Sequence, residues 1–221
     1  MSEGVGSDFL ECLFPQCPTL LHIPGTLSSV VVQVIKELDA PVEVISLLPD
    51  VITSKSFLKL NPMGSVPVLV LPDDKAFTEV GAILMHILDM YDSVSFNIQP
   101  DARFEIEERA RHYQLFFYAL CTAYPLVSQQ LKLHLVNQER GTAAHHRWMK
   151  SVGPYMEQQL ETRRCFVAGN KMTVVDFLFG KIVNDARSMD LLGNFPYLSE
   201  WLDRMQSRES WDVAYSDENT F

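Results

Sequence analysis

No stretch of this chain is apolar for long enough to cross a bilayer, which takes roughly 18 consecutive apolar residues, so a membrane span is not expected. The N-terminus has no basic segment followed by a long apolar one and is not arginine-rich, which argues against a signal or transit peptide. Cysteine is sparse, with Cys12, Cys17, Cys121 and Cys165 the only four in 221 residues. That is not a disulfide scaffold, and the Cys12-x4-Cys17 spacing is not the C-x-x-C of a redox pair. A reducing, cytoplasmic setting is the expectation. Lysine and arginine number 18 against 28 acidic residues, and the net charge of −10 argues against nucleic acid and anionic membranes as partners. A metal signature is missing as well. His145 and His146 are adjacent and point to different sides of a helix, whereas a helical metal pair needs i,i+4 spacing. The chain has no internal repeat and no low-complexity tract.

What is present suits one large domain or two small ones with a sizeable core, since 47% of the residues are hydrophobic and 21% charged. The most informative segment is Asn61–Leu71, NPMGSVPVLVL. A turn at Asn61-Pro62 and Gly64 leads into Val66-Pro67 and then a mostly β-branched run. Pro67 has no N–H, so it opens a strand or sits at its edge. A trans bond there makes an ordinary strand entry. A cis bond leaves the Val66 backbone unpaired and able to bind an extended peptide by strand-like hydrogen bonds.

The neighbouring segments have clear punctuation. Thr19–Ile23 suits a first strand, stopped by Pro24-Gly25. Val30–Ile35 is β-branched, yet Val31, Val34, Ile35 and Leu38 have helical spacing, and with Ser28 and Ser29 as candidate N-caps a helix is expected. Pro41–Leu48 alternates as a second strand, and a loop with one possible helical turn follows to Leu60. Leu71–Lys75 is a hairpin turn, Ala76–Thr78 a short strand, and an amphipathic helix runs from Glu79 to about Tyr91. The polar stretch from Asp92 to about Ala102 breaks the pattern, and beyond it the period is helical. Ile106, Ala110, Tyr113, Phe117, Leu120 and Tyr124 form one stripe, with Pro125 kinking or ending that helix. A second helix is expected from Thr142 to Glu161, disturbed at Gly153-Pro154. Thr173–Asp176 is a capping box ahead of a run apolar on several sides, and Pro196 opens a closing helix through Trp201 and Met205.

The string NPMGSVPVLVLPDDKAFTEVGAILMHILDMY resembles the glutathione transferase family, in which NPxGxVPxL, a hairpin and a (T)ESxAI helix start come in this order. The capping box and the FPYLSEWLDRMQSRES tail are similar to that family's second domain, so the resemblance spans most of the chain. It implies an α/β thioredoxin-like N-terminal domain followed by an all-α helical C-terminal domain. The corresponding division is an N-terminal extension at 1–17, a thioredoxin-like glutathione-binding domain at 18–92, a linker at 93–103 and an all-helical domain at 104–221. A homodimer follows from the resemblance alone.

The resemblance also implies glutathione as co-substrate, no metal, and a hydroxyl or cysteine near the start of the first helix that donates to the glutathione thiolate. Thr26 and Ser28 are equal candidates for that catalytic hydroxyl, while the cysteine-type alignment places Leu27 on the catalytic cysteine. His22 lies near where some members carry a catalytic tyrosine, and its simplest reading is structural. Glutathione would lie along Val66 and Pro67, with its γ-glutamyl end at Glu79 and Val80. Val80 stands where the family usually has serine; it keeps the N–H but loses a hydroxyl. A hydrogen bond to a charged group is worth about 1.5–3 kcal/mol, so weakened binding is expected. Tyr118 and Tyr124 are candidates for the electrophile pocket, and Lys55 and Lys59 for the glycyl carboxylate. Two functions remain open at this level. One is a detoxification-type transferase that conjugates glutathione to a hydrophobic electrophile. The other is a non-catalytic transferase-fold module for protein assembly, favoured by Leu27 and Val80.

Overall fold

Turn residues set the ends of the first elements. β1 (Thr19–His22) stops before Pro24 and Gly25, whose φ of 77° is one that glycine adopts without penalty. α1 (Ser28–Leu38) follows, then β2 (Glu43–Ser46), a 3₁₀ turn (Pro49–Thr53), α2 (Lys55–Leu60), β3 (Val68–Val70), β4 (Ala76–Thr78) and α3 (Val80–Tyr91). A computed structural model describes residues 10, 15–73, 75–97, 106–136, 142–161, 165–169 and 171–215. Most of the expected N-terminal extension at 1–17, and the expected linker beyond Asn97, lie outside the described residues.

The sheet order is β2-β1-β3-β4. β1 runs parallel to β2 with His22 opposite Ser46, and antiparallel to β3 with Leu21 opposite Val68; β4 returns antiparallel with Thr78 opposite Val68. Side chains alternate across a strand, so Leu21, Val68 and Val70 share one face and pack with Val51 and Phe57 of the 3₁₀ turn and α2. Leu20 and Leu69, paired and buried, belong to the opposite face. The valine-rich helix α1 buries Val30, Val31, Val32 and Val34 and packs against α3. Burial on this scale overrides the weak strand preference of β-branched residues.

Two compact units emerge, Met1–Val94 together with Glu209–Phe221, and Ser95–Arg208. The sequence division differs here. A last helix, α10 (Glu209–Tyr215), was not anticipated; it packs on α1 of the first unit rather than within 104–221. Lys36 pairs with Glu209 at 2.8 Å, Ser210 donates to Glu37 at 2.5 Å, and Gln33 donates to Ser210 at 3.3 Å. Trp211 and Tyr215 stack at 4.2 Å and are buried. The expected linker also behaves differently in its described part. Phe96 is buried edge-on against Phe177 at 5.2 Å, and its carbonyl accepts from Val174 N–H at 3.0 Å.

The second unit is helical: α4 (Ile106–Tyr118), a π turn (Ala119–Ala123), α5 (Tyr124–His134), α6 (Ala143–Arg147), a π turn (Trp148–Val152), α7 (Gly153–Glu161), α8 (Val174–Ser188) and α9 (Pro196–Gln206). Pro125 does not end the first helix. It sits in the opening turn of α5, where its missing N–H costs nothing, and the π turn ahead of it absorbs the change of register. Gly153 is required by packing, because a Cβ there would meet the Phe195 ring at 2.5 Å.

The apolar stripe read from α4 faces outward. Ile106, Tyr113 and Phe117 are 64%, 39% and 58% exposed, whereas the buried face carries His112, Leu115, Phe116, Ala119 and Ala123. The helix has two apolar faces, and a histidine on the inner one disguised it. His112 is fully buried, neither ring nitrogen has a partner among the described residues, and burial lowers its pKa to about 4. A folded-state pKa below the unfolded value means that the unfolded chain binds the extra proton, so stability is complete above pH 6.5 and is lost as pH falls toward 4. Relative to a His112→Leu variant, the wild type is expected to lose about 3 kcal/mol across that window. Urea titrations of both proteins at intervals from pH 7 to about pH 4 check this; parallel pH profiles would sink it. Among the described residues, no helix is long and apolar enough to cross a membrane.

Candidate functional site

The strand register collects the sequence candidates at one end of the sheet. The C-terminal ends of β1, β2 and β4 and the start of β3 share that edge, since His22 faces Ser46 and Val68 faces both Leu21 and Thr78. Everything that leaves or enters there converges: the Ile23–Leu27 loop into α1, Val66-Pro67 into β3, and Glu79 into α3.

Val66-Pro67 is cis. Asn61, buried, organises the turn before it: its Nδ2 donates to the Ser65 carbonyl at 2.7 Å, and its Oδ1 accepts from Met63 N–H at 3.0 Å. Val66 is half-buried, and neither its N–H nor its carbonyl has a hydrogen-bond partner among the described residues. Pro67 is buried and presents no donor. An unpaired strand-like backbone at a sheet end suits an extended peptide.

Glu79 has φ 70° and ψ 120°, a region that a residue bearing a Cβ enters only when its surroundings force it and that clusters at ligand sites. It is exposed and stands at the N-cap of α3, with no side-chain cap. Val80 follows as the first helical residue and is buried. The first N–H groups of a twelve-residue helix lack intrahelical acceptors and attract a carboxylate. Glu79 therefore combines a free carboxylate with a neighbouring set of donors, a pairing suited to a zwitterionic amino acid end.

The hydroxyls at the other side of the site differ in role. α1 begins at Ser28 and its N-cap is Leu27, without side-chain capping, so Ser28 and Ser29 are helical residues rather than the caps that the sequence suggested. Ser28 is fully buried. Its Oγ lies 2.6 Å from Thr26 Oγ1, 3.1 Å from the Ile23 carbonyl and 3.3 Å from His22 Nδ1, and it accepts from Ile23 N–H at 3.3 Å. Thr26 is half-buried; its hydroxyl donates to the Ile23 carbonyl at 2.8 Å and accepts from Ser28 N–H at 3.3 Å. His22, buried, reaches Ser46 Oγ with Nε2 at 3.1 Å. Thr26 is thus the hydroxyl nearer the surface and Ser28 stands behind it. The His22–Ser46 link was not read from the sequence, although a parallel β1–β2 pair puts those two residues opposite each other.

The remaining candidates stand apart. Lys55 and Lys59 are exposed on α2. Tyr118 and Tyr124 belong to the helical unit and are half-buried. Tyr118 packs against Tyr155 at 4.5 Å and Phe179 at 6.4 Å; burial, followed by Tyr155, raises its pKa, so it is a neutral donor. Among the described residues, no group of three or more His, Cys, Asp or Glu is placed to hold a metal ion.

Comparison with known proteins adds the following. Residues 20–95 match the family model for the glutathione S-transferase N-terminal domain, and residues 134–211 match that for the C-terminal domain. A glutathione S-transferase-like protein, gedE of Aspergillus terreus, is 26% identical over 194 residues, covering 80% of this chain and 84% of that one. Among solved structures, the glutathione transferase URE2P6 from Phanerochaete chrysosporium, in complex with oxidized glutathione, gives a TM-score of 0.75 at 21% identity, over 92% of this chain and 96% of that one. Ure2p in complex with glutathione gives 0.76 at 20% identity, over 95% and 99%.

Proposed function

This chain belongs to the glutathione transferase family, and on that premise we propose that it binds glutathione at the sheet end and transfers it to a hydrophobic electrophile. The observation that carries the reading is the unpaired Val66 backbone at the start of β3, on the strand next to the one that ends at Glu79. Neighbouring strands lie roughly 5 Å apart, within the roughly 10 Å reach of an extended tripeptide. In this reading the cysteinyl backbone pairs with Val66, with Pro67 closing that edge. Glu79 takes the α-amino group, and the N–H groups at Val80 and Gly81 take the γ-glutamyl carboxylate. Thr26, the hydroxyl nearer the surface, donates to the sulfur, with Ser28 behind it.

A free thiol with a pKa near 8.5 is only a few per cent ionised at pH 7, so one good donor to the thiolate raises the reactive fraction. The thiol proton leaves to solvent. The sulfur lone pair then forms the new C–S bond while the electrophile's leaving group departs with its electron pair. Tyr118 and Tyr124 are our candidates for holding that electrophile. Conjugation of this kind is detoxification chemistry, consistent with a cytoplasmic protein. A homodimer is part of the proposal, supported by exposed apolar residues at Phe77 and Met90 in the first unit and Ile106 and Phe117 in the second.

A second reading, a non-catalytic module for protein assembly, draws on Leu27 and Val80, apolar where the active pattern is thiol and hydroxyl. Isothermal titration with glutathione separates the two. Wild-type protein is expected to bind weakly but measurably, and Val80→Ser to bind roughly tenfold more tightly as the serine hydroxyl reaches the carboxylate. No heat of binding at millimolar glutathione for either protein would overturn the transferase reading. Conjugating activity that collapses in Thr26→Val would exclude the module.

A further inference from the structure

Hydroxyl groups carry one proton each, and that limit decides how the cluster behind Thr26 is wired. The 2.6 Å contact between Thr26 Oγ1 and Ser28 Oγ must contain a proton from one side or the other. Both hydroxyls reach the Ile23 carbonyl, Thr26 at 2.8 Å and Ser28 at 3.1 Å; since one of the two must fill the 2.6 Å contact, the closer Thr26 keeps the carbonyl and Ser28 donates to Thr26. Ser28 Oγ then has only lone pairs left. One accepts from Ile23 N–H at 3.3 Å, and the other faces His22 Nδ1 at 3.3 Å, which must bring the hydrogen. His22 Nε2 is consequently the acceptor of its 3.1 Å contact with the Ser46 hydroxyl.

We propose that His22 is a positioning residue: its Nδ1–H tautomer, held by Ser46, directs a one-way hydrogen-bond chain through Ser28 to Thr26, leaving Thr26 able to donate to a bound thiolate. This rests on the transferase reading above and names the group that sets the donor's polarity. When a thiolate arrives, only the Thr26 hydroxyl has to turn. Its proton swings from the Ile23 carbonyl to sulfur, while that carbonyl keeps the Thr26 N–H at 3.3 Å. Every bond in the series Ser46, His22, Ser28, Thr26, sulfur then points the same way, and aligned chains of hydrogen bonds strengthen one another in a buried setting. The opposite tautomer reverses the outcome. Nδ1 would draw the Ser28 proton to itself, Thr26 would have to fill the 2.6 Å contact with its own proton, and none would remain for sulfur. No proton is transferred in this scheme.

The test uses the full chain and three substitutions at one position. Asparagine places an amide N–H where Nδ1 stands, glutamine places one nearer Nε2, and leucine supplies neither. The thiol pKa of bound glutathione, followed by thiolate ultraviolet absorbance against pH, is expected to rise by about one unit in His22→Leu and His22→Gln. That is a tenfold loss of thiolate below the pKa, and His22→Asn is expected to retain most of the wild-type value. Nitrogen NMR of the wild-type imidazole is expected to show protonation at Nδ1, a readout that needs neither glutathione nor a variant. An Nε2–H imidazole overturns the proposal. So does a thiol pKa in His22→Leu equal to that of the wild type, or His22→Gln matching His22→Asn. Should the His22 variants not fold, Ser46→Ala, at the half-buried end of β2, is expected to disturb the tautomer and raise the thiol pKa; no change in either overturns the proposal. Absence of glutathione binding by the wild type would instead bring down the transferase reading, and the tautomer would still be read in the free protein.

Discussion

Lys181→Met is expected to cost the protein about 3–5 kcal/mol of stability, and Asp185→Leu a similar amount, while the double variant recovers most of the loss. The pair lies on α8, where Val174, Val175, Phe177, Leu178, Phe179, Ile182, Val183 and Ala186 are buried as well. Lys181 Nζ meets Asp185 Oδ1 at 2.7 Å one turn apart, and the side chains are only 2% and 8% exposed. Two ions taken out of water gain little net stability from one another, because desolvation consumes most of the Coulombic attraction. Removing one partner is a different matter, since the survivor loses its counter-charge at 2.7 Å in a nearly buried position. Methionine and leucine are near in volume to what they replace, so the double variant puts apolar side chains at both positions without a cavity. Urea unfolding of the four proteins gives the coupling energy directly. Single variants within 1 kcal/mol of wild type would mean that water reaches the pair in solution.

The first unit was legible because its boundaries are written in proline, glycine and hairpin turns. Pro24-Gly25, Asn61-Pro62 and Pro72-Asp73 stand where elements stop, and β3, β4 and α3 fall where the sequence places them. The helical unit was read less well, for physical reasons. α4 has two apolar faces and the sequence cannot say which one meets the core; the inner face includes His112, a residue that periodicity counts as polar. α5 was missed because Pro125 reads as a stop, whereas a π turn before it lets the chain continue as helix. α10 was missed because seven residues are too few for a periodic signal, and its stability comes from α1. The site divides in the same way. Val66, Glu79 and Val80 were visible as candidates because the motif fixes them locally, whereas Thr26 and Ser28 were equal candidates at the start of the first helix. That Ser28 is turned inward while Thr26 lies nearer the surface depends on where α1 begins, and the Ser46 contact depends on strand register 24 residues away.

Asp176→Ala is expected to be the other severe substitution, costing about 3–5 kcal/mol, because two buried N–H groups lose their acceptor at once. Oδ1 accepts from Val167 N–H at 2.8 Å and Oδ2 from Thr173 N–H at 2.9 Å, with the Thr173 hydroxyl at 3.3 Å. One carboxyl group thereby caps the start of α8 and ties down the segment that precedes it, in which Val167 is completely buried. Asp176→Asn keeps one acceptor oxygen and is expected to lose roughly half as much. The same site carries a pH signature. Complete burial pushes the carboxyl up to about 7, while the bonds from Thr173 and Val167 pull it down. A folded-state pKa above the unfolded value means that the native state holds a proton which the unfolded chain has released. This contribution is therefore full below pH 3.8 and is lost as pH rises to about 7. His112 tilts stability the other way over much of that range, so the wild-type profile is expected to be flatter than either group alone would make it. Removing the carboxyl unmasks the histidine. Asp176→Asn should gain stability steeply from pH 4 to 6.5, relative to wild type, and His112→Leu should lose it. Urea midpoints across that interval decide the matter. A fixed offset between Asp176→Asn and wild type at every pH would mean that Asp176 stays ionised in the fold, and that its three donors outweigh its burial.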